Sequence, residues 1–161
     1  MAKWVRTRID LPDGLRPSER EAILTDVVQF IRDRTAKGLD KDGKPFKKYT
    51  QGYIQSLDFK NAGKSKGRVN LKLSGDMMAA LDVISHGPGS GLIGFAAGTP
   101  ENDRAEGNIL GSYGRDPDPS KARDFLGISD KDLQRIIQKK KIPIRVEMTA
   151  QGSRVRVRGQ R

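Results

Sequence analysis

Ser18-Glu19-Arg20-Glu21-Ala22-Ile23-Leu24-Thr25-Asp26-Val27-Val28-Gln29-Phe30-Ile31-Arg32-Asp33-Arg34-Thr35-Ala36-Lys37-Gly38 carries the strongest periodic signal in the chain. Ile23, Leu24, Val27, Val28 and Ile31 recur at helical spacing, so a helix over 18–37 has one apolar face that another layer must cover. Ser18 and Glu21 have the spacing of a capping box at its start. Gly38 is a natural residue just beyond its end, where a left-handed backbone closes a helix. Upstream, Val5-Arg6-Thr7-Arg8-Ile9-Asp10-Leu11 alternates with the period of a half-buried strand, and Pro12-Asp13-Gly14 is a turn.

Downstream the pattern is shorter in every element. Thr50 is placed to cap a short helix carrying Tyr53, Ile54 and Leu57, and 61–67 reads as an exposed loop. Val69-Asn70-Leu71-Lys72-Leu73 alternates as a strand, and Ser74 caps a helix that buries Met77, Met78 and Leu81. Val83-Ile84-Ser85 and Leu92-Ile93-Gly94-Phe95 form a hairpin around a loose glycine-rich loop. Thr99-Pro100-Glu101 starts a helix, weakened or interrupted at Gly107 and Gly111. Ser129 caps a last helix with Leu133, Ile136 and Ile137 on one face. Ile142-Pro143-Ile144-Arg145-Val146-Glu147-Met148 and Ser153-Arg154-Val155-Arg156-Val157-Arg158 alternate as a second hairpin, with Pro143 at a strand start or edge. These elements predict a single α+β domain over 1–161. It has a small, mainly antiparallel sheet packed by the long N-terminal helix, extended loops, and a basic C-terminal hairpin over 142–161.

Composition narrows the chemistry. The 161 residues carry 31 Lys and Arg against 20 Asp and Glu, a net charge of +11. Hydrophobic residues make up 35% and mean hydropathy is −0.65, so the core is modest for this length and self-assembly is a way to bury more. With no cysteine there is no disulfide or thiolate metal site. A single histidine, His86, leaves little for metal binding or base catalysis and reads as a hairpin-end residue. No apolar run approaches roughly 18 residues, and Met1-Ala2-Lys3-Trp4 lacks the apolar core of a signal peptide, so the expectation is a protein made and used without export.

Three basic stretches stand out: Lys64, Lys66 and Arg68; Lys139, Lys140 and Lys141; and Arg154, Arg156 and Arg158. They suit a polyanion or, equally, a solvated surface. In the last stretch, period-two spacing puts the three arginines on one strand face about 7 Å apart, close to the phosphate spacing of a DNA strand. The other readings are an edge kept soluble by arginine, and pairing with acids of a neighbouring subunit. Asp40-Lys41-Asp42-Gly43 resembles a calcium loop only superficially. With Gly43 as its sixth position, Gly38 stands first and Tyr49 twelfth, so a tight turn is expected. Gly87-Pro88-Gly89-Ser90-Gly91 lacks the Gly-Lys-Ser/Thr ending of a phosphate loop. Glu101, Asp103, Glu106, Asp116 and Asp118 are spread over a helix start and a proline loop, as capping and solubility require. No catalytic set, cofactor site or metal site emerges.

Two segments acquire meaning from their order: Gly38-Leu39-Asp40-Lys41-Asp42-Gly43-Lys44-Pro45-Phe46 after the first helix, and Ala122-Arg123-Asp124-Phe125-Leu126-Gly127-Ile128-Ser129 before the last. With Leu73-Ser74-Gly75-Asp76-Met77 between them, the series resembles the virion morphogenesis, or tail completion, family of Mu-like and related long-tailed phages, over roughly 18–140. Phe46 stands where that family usually has a longer tryptophan-bearing segment, and Ala122 where proline is common.

The resemblance implies a structural role without catalytic residues: a ring, most simply a hexamer, at the neck of the virion, assembled in the host cytoplasm. It implies as partners other copies of the chain, a head-side connector, a tail tube or tail terminator protein, and double-stranded DNA passing through the lumen. Lys60 to Arg68 and Gly111 to Lys121, with Lys64, Lys66, Arg68, Tyr113 and Arg115, are the expected inter-subunit loops. Arg154, Arg156, Arg158 and Lys139 to Lys141 are the expected DNA- or interface-facing residues. Gly38, Asp40, Asp42, Gly43, Pro45, Phe46, Arg123, Phe125, Leu126 and Gly127 are expected as structural positions.

Overall fold

The apolar stripe of the first helix finds its layer in a three-stranded sheet. The computed structural model describes residues 4–61, 69, 76–112, 115–142, 144–149 and 152–157. The first strand, β1 (Arg6–Asp10), leads through the Pro12–Gly14 turn into α1 (Pro17–Ala36). Two short helices follow, α2 (Gln51–Ile54) and α3 (Leu57–Asn61), then α4 (Asp76–Ala79). Strands β2 (Asp82–Gly87) and β3 (Ser90–Gly94) form the hairpin, and α5 (Pro100–Leu110) and α6 (Asp130–Lys139) complete the helices. The chain then runs into β4 (Ile144–Thr149) and β5 (Gly152–Val157). The sheet order is β1-β3-β2, antiparallel throughout, while β4 and β5 form a separate two-stranded sheet. The fold is α+β, with α1 packed on the three-stranded sheet.

Ile23, Leu24, Val27, Val28 and Ile31 of α1 are buried together with Ile9 of β1 and Ile93 of β3. Helix α6 also packs on α1: it buries Leu133, Ile136 and Ile137, and Lys140 pairs with Asp26 at 2.9 Å. The buried Asn102 of α5 accepts from the Val5 N–H at 2.9 Å and ties that helix to the approach into β1. Arg32 of α1 donates to the carbonyls of Met78, Ala79 and Leu81, satisfying acceptors at the end of α4.

Helix ends differ from the sequence reading in one place. The helix begins at Pro17, with Arg16 as its N-cap, so Ser18 is not the cap. Proline has no N–H to lose and a φ already suited to the first helical position, which moves the start one residue upstream. Glu19 provides the reciprocal bond in place of Glu21: its carboxylate accepts from the Arg16 N–H at 2.8 Å. That bond, supported by the Arg16 guanidinium, lowers the Glu19 carboxyl below its usual range against an opposing desolvation. Thr50, Thr99 and Ser129 cap α2, α5 and α6 as the sequence indicates.

Three further expectations are corrected. Tyr53, Ile54 and Leu57 do not share one helix: the Ser56 hydroxyl donates to the Tyr53 carbonyl and accepts from the Phe59 N–H, splitting the segment into α2 and α3, and Leu57 is 73% exposed. The 83–95 hairpin has no loose loop; Gly87 pairs with Ser90, and Pro88-Gly89 is a two-residue turn with Gly89 at φ 78°. Proline first and a positive φ second define a type II turn. Helix α5 runs through Gly107 without a break and ends at Gly111, at φ 70°. A Cβ there would fall 2.1 Å from the Asp118 carbonyl oxygen, so only glycine lets the 115–122 loop lie against the helix end.

The strand over 69–73, the cap Ser74, the Leu73–Gly75 part of the middle motif, Lys64, Lys66, Arg68, Tyr113, Pro143 and Arg158 lie outside the described residues; Val69 and Met77 are described and buried. Among the described residues, no helix is long and apolar enough to cross a membrane.

Candidate functional site

The two motifs read from the sequence meet in space, and a residue of α1 joins them. Helix α1 closes with the Leu39 N–H bonded to the Arg34 carbonyl at 3.2 Å and the Gly38 N–H to the Thr35 carbonyl at 2.9 Å, a Schellman motif. The chain then folds into a miniature hairpin. Asp40 N–H donates to the Lys44 carbonyl at 2.7 Å, Leu39 bridges Pro45, and the Phe46 N–H returns to the Gly38 carbonyl at 2.9 Å. The Asp40 Oδ1 accepts the N–H groups of Asp42 and Lys44, both at 2.9 Å. This carboxylate therefore holds a turn, with Gly43 at φ 79° completing it, and Phe46 is delivered into the core.

The second motif, 122 to 129, runs without helix or strand against this hairpin. The Lys41 N–H donates to the Asp124 carbonyl at 3.0 Å, and the Lys41 ammonium meets the Asp124 carboxylate at 2.8 Å. That hydrogen bond and its charge raise the Lys41 pKa. Phe125 is fully buried with its ring edge-on to Phe95, centroids 6.2 Å apart. Arg123, 8% exposed, donates to the carbonyls of Lys47 and Lys48, both at 3.2 Å, and lies over the Tyr49 ring. Tyr49 in turn packs with Tyr53 and Phe59, so Arg123 links the second motif to the α2–α3 aromatic cluster.

Arg34 is the pin of this clasp. It is 6% exposed, and its guanidinium donates to the carbonyls of Phe125 at 2.6 Å, Gly127 at 2.9 Å and Lys41 at 3.3 Å. Desolvation lowers its pKa, while the charges of Asp40, Asp132, Asp124 and Asp42 oppose that shift; an arginine stays charged under both. The sequence reading missed it, although a signal exists. Arg34 follows Val27 by seven and Ile31 by three, so a charge stands on the apolar stripe, where it requires buried acceptors.

The Lys41–Asp124 ion pair is half-exposed, and such pairs contribute about 0–1 kcal/mol. Lys41→Met is therefore expected to lower stability by less than about 1 kcal/mol, read from a urea transition, because the backbone bond between the motifs remains. A loss of several kcal/mol would show that the ion pair itself holds the clasp.

Beside the clasp, a groove of about 310 Å³ is lined by Thr7, Arg8 and Ile9 of β1, Lys41, Asp42 and residues 126–129. A second groove, about 460 Å³, lies between Glu21 and Thr25 of α1 and residues 82–86 of β2. Both follow outer edges of the sheet. The Leu11 N–H bonds to the Gly89 carbonyl and the Phe95 N–H to the Val5 carbonyl, so odd-numbered residues of β1 face β3. The backbone groups of Arg6, Arg8 and Asp10 consequently face outward. By the same alternation Val83 and His86 face outward from β2, on either side of a bulge at Ile84. Trp4 is 60% exposed next to the β1 edge, with the Arg6 guanidinium 4.1 Å from its ring centre.

Of the basic residues singled out in the sequence, Lys139, Lys141 and Arg115 are exposed, whereas Lys140 is engaged with Asp26 inside the chain. Arg154 and Arg156 stand in β5 opposite Glu147 and Arg145. His86 accepts from the Arg20 Nε at 3.3 Å. Among the described residues no three acidic or histidine side chains gather in a way that could hold a metal ion. No protein-family model matches this chain, and no curated protein and no solved structure is significantly similar to it.

Proposed function

We propose that this chain is a structural virion protein of a tailed bacteriophage, a ring subunit of the neck that acts in tail completion and head–tail joining. The observation that carries the reading is unused pairing capacity among the described residues: a three-stranded sheet with no strand on either outer edge, and a separate two-stranded ribbon. Such edges are templates for strand addition by another chain. The order of the Gly38–Phe46 and Ala122–Ser129 motifs, similar to that of the tail completion family, gives the assembly its class. In this reading the chain assembles in the host cytoplasm with copies of itself, in a ring most simply sixfold. It then contacts a head-side connector and a tail tube or terminator protein, and DNA passes through the lumen.

The test is the mass of the purified full chain, alone and with neck partners. A ring of fixed size formed without DNA is the expected result; a monomer under every condition overturns it.

A second reading, a non-specific DNA-binding protein, has one observation in its favour. The register of the ribbon places Arg145, Arg154 and Arg156 on one face. Here the logarithm of DNA affinity should fall steeply with the logarithm of salt, and Arg154→Ala with Arg156→Ala should reduce that slope by about 2. A salt-independent affinity removes this alternative.

A further inference from the structure

We propose that the outer edge of β2 receives the arginine-bearing β4–β5 ribbon of a neighbouring copy of this chain. The inference rests on the self-assembly reading and names the surfaces that meet.

The ribbon needs a partner. Both of its outer edges lack a strand among the described residues, and a two-stranded sheet is marginal in water without a third strand or a packed surface. Its register sorts the sequence into two faces. Ile144, Val146, Met148, Val155 and Val157 occupy one, and Arg145, Glu147, Arg154 and Arg156 the other. On the second face Arg145 is registered directly opposite Arg156.

The β2 edge supplies what the ribbon lacks. The backbone N–H and carbonyl of His86 and the carbonyl of Val83 face outward from the sheet, while the Val83 N–H is held by the Asp82 carboxylate at 2.8 Å. The groove along this edge is rimmed by Glu21 and Asp82, both exposed. Neither has a cation within ion-pair distance among the described residues, although the chain carries a net charge of +11. Among the described residues, the cation bonded to a residue lining this groove is Arg20, engaged with His86 and the Leu15 carbonyl. Charge also discriminates between the two open edges. The β1 edge presents Arg6 and Arg8, with its one carboxylate, Asp10, already paired to Arg8, whereas the β2 edge presents Glu21 and Asp82, two carboxylates without an ion-pair partner among the described residues. Edge and ribbon are different surfaces of one chain, so their pairing is head-to-tail, the kind of contact that closes into a ring.

Two charge reversals in the full chain test this. Glu21→Lys with Asp82→Lys reverses the receiving edge; Arg154→Glu with Arg156→Glu reverses the ribbon. Each variant alone is expected to lose the oligomer and run at monomer mass. Mixed in equal amounts they should reassemble, because each reversed edge now meets a reversed ribbon and each unchanged edge an unchanged ribbon, alternating around an even-membered ring. Variants that remain assembled, or a mixture that stays monomeric, overturn this pairing and leave the ring reading standing. A wild-type chain that is monomeric at every concentration, with and without neck partners, overturns both.

Should either variant fail to fold, amide exchange in the wild-type chain decides. The His86 N–H is expected to be protected at least about 10-fold more in the oligomer than in the dilute chain, and equal exchange in both overturns the inference.

Discussion

Arg34→Met is expected to destabilise the chain by roughly 2–5 kcal/mol, the largest effect of any single polar replacement. The methionine keeps most of the aliphatic volume, so the loss is that of the guanidinium. Its removal leaves the carbonyls of Phe125 and Gly127, and to a lesser degree Lys41, without the donor that now reaches them. A buried acceptor left unsatisfied costs about 1–3 kcal/mol. Relief of the guanidinium's own desolvation offsets part of this, which is why the sum stays below the simple total. Against an overall stability of about 5–15 kcal/mol the change is large. At roughly 2–4 °C per kcal/mol, the melting temperature should fall by about 4–20 °C. Arg34→Lys should recover only part of the loss, because a single ammonium cannot span three carbonyls as a planar fork does. A melting temperature within 1 °C of the parent would show that the clasp does not depend on its pin.

Phe125→Ala should cost about 3–5 kcal/mol, the range for emptying a fully buried aromatic site. Phe125 sits on a segment with no helix or strand of its own, and its ring packs that segment edge-on against Phe95, just beyond β3. A urea transition should move to lower midpoint with unchanged slope. Combining it with Phe95→Leu separates the ring–ring contact from burial; a coupling of about 0.5–1.5 kcal/mol is expected for an edge-on pair. Additive costs would mean that the two rings only fill space.

Much of this architecture is legible in the sequence because its signals are local. The stripe Ile23 to Ile31, the alternation from Val5 to Leu11 and the caps Thr50, Thr99 and Ser129 each depend on a few neighbouring residues, and each forms as read. Errors arise where two local rules compete. Ser18 and Glu21 satisfy the spacing of a capping box, but Arg16 with Glu19, helped by Pro17 at the first helical position, satisfies it two residues earlier and prevails. Pro88-Gly89 reads as looseness in a run of glycines, yet that pair is what a tight type II turn requires.

The clasp is only half legible. The turn chemistry of Asp40 and Gly43 is visible, as is the burial of Phe125. That the two motifs touch is not, because nothing periodic connects residues eighty positions apart. Arg34 is the exception in principle: a charge on an apolar stripe announces a distant set of acceptors without saying where they are.

The distance along the chain between Arg34 and its acceptors has a kinetic consequence. The bond from Arg34 to the Phe125 carbonyl closes a separation of 91 residues. Closing so long a loop must be offset by contacts that form only once both ends have arrived. Helix α1 and the β2–β3 hairpin, built from near neighbours, can form before it. The clasp therefore belongs to the late side of the folding barrier, and weakening it should act on the rate of escape from the native state. In a chevron, Arg34→Met should raise the unfolding rate while leaving the refolding limb nearly in place. The same few carbonyls that fix the end of one helix thus set how long the folded chain persists once made.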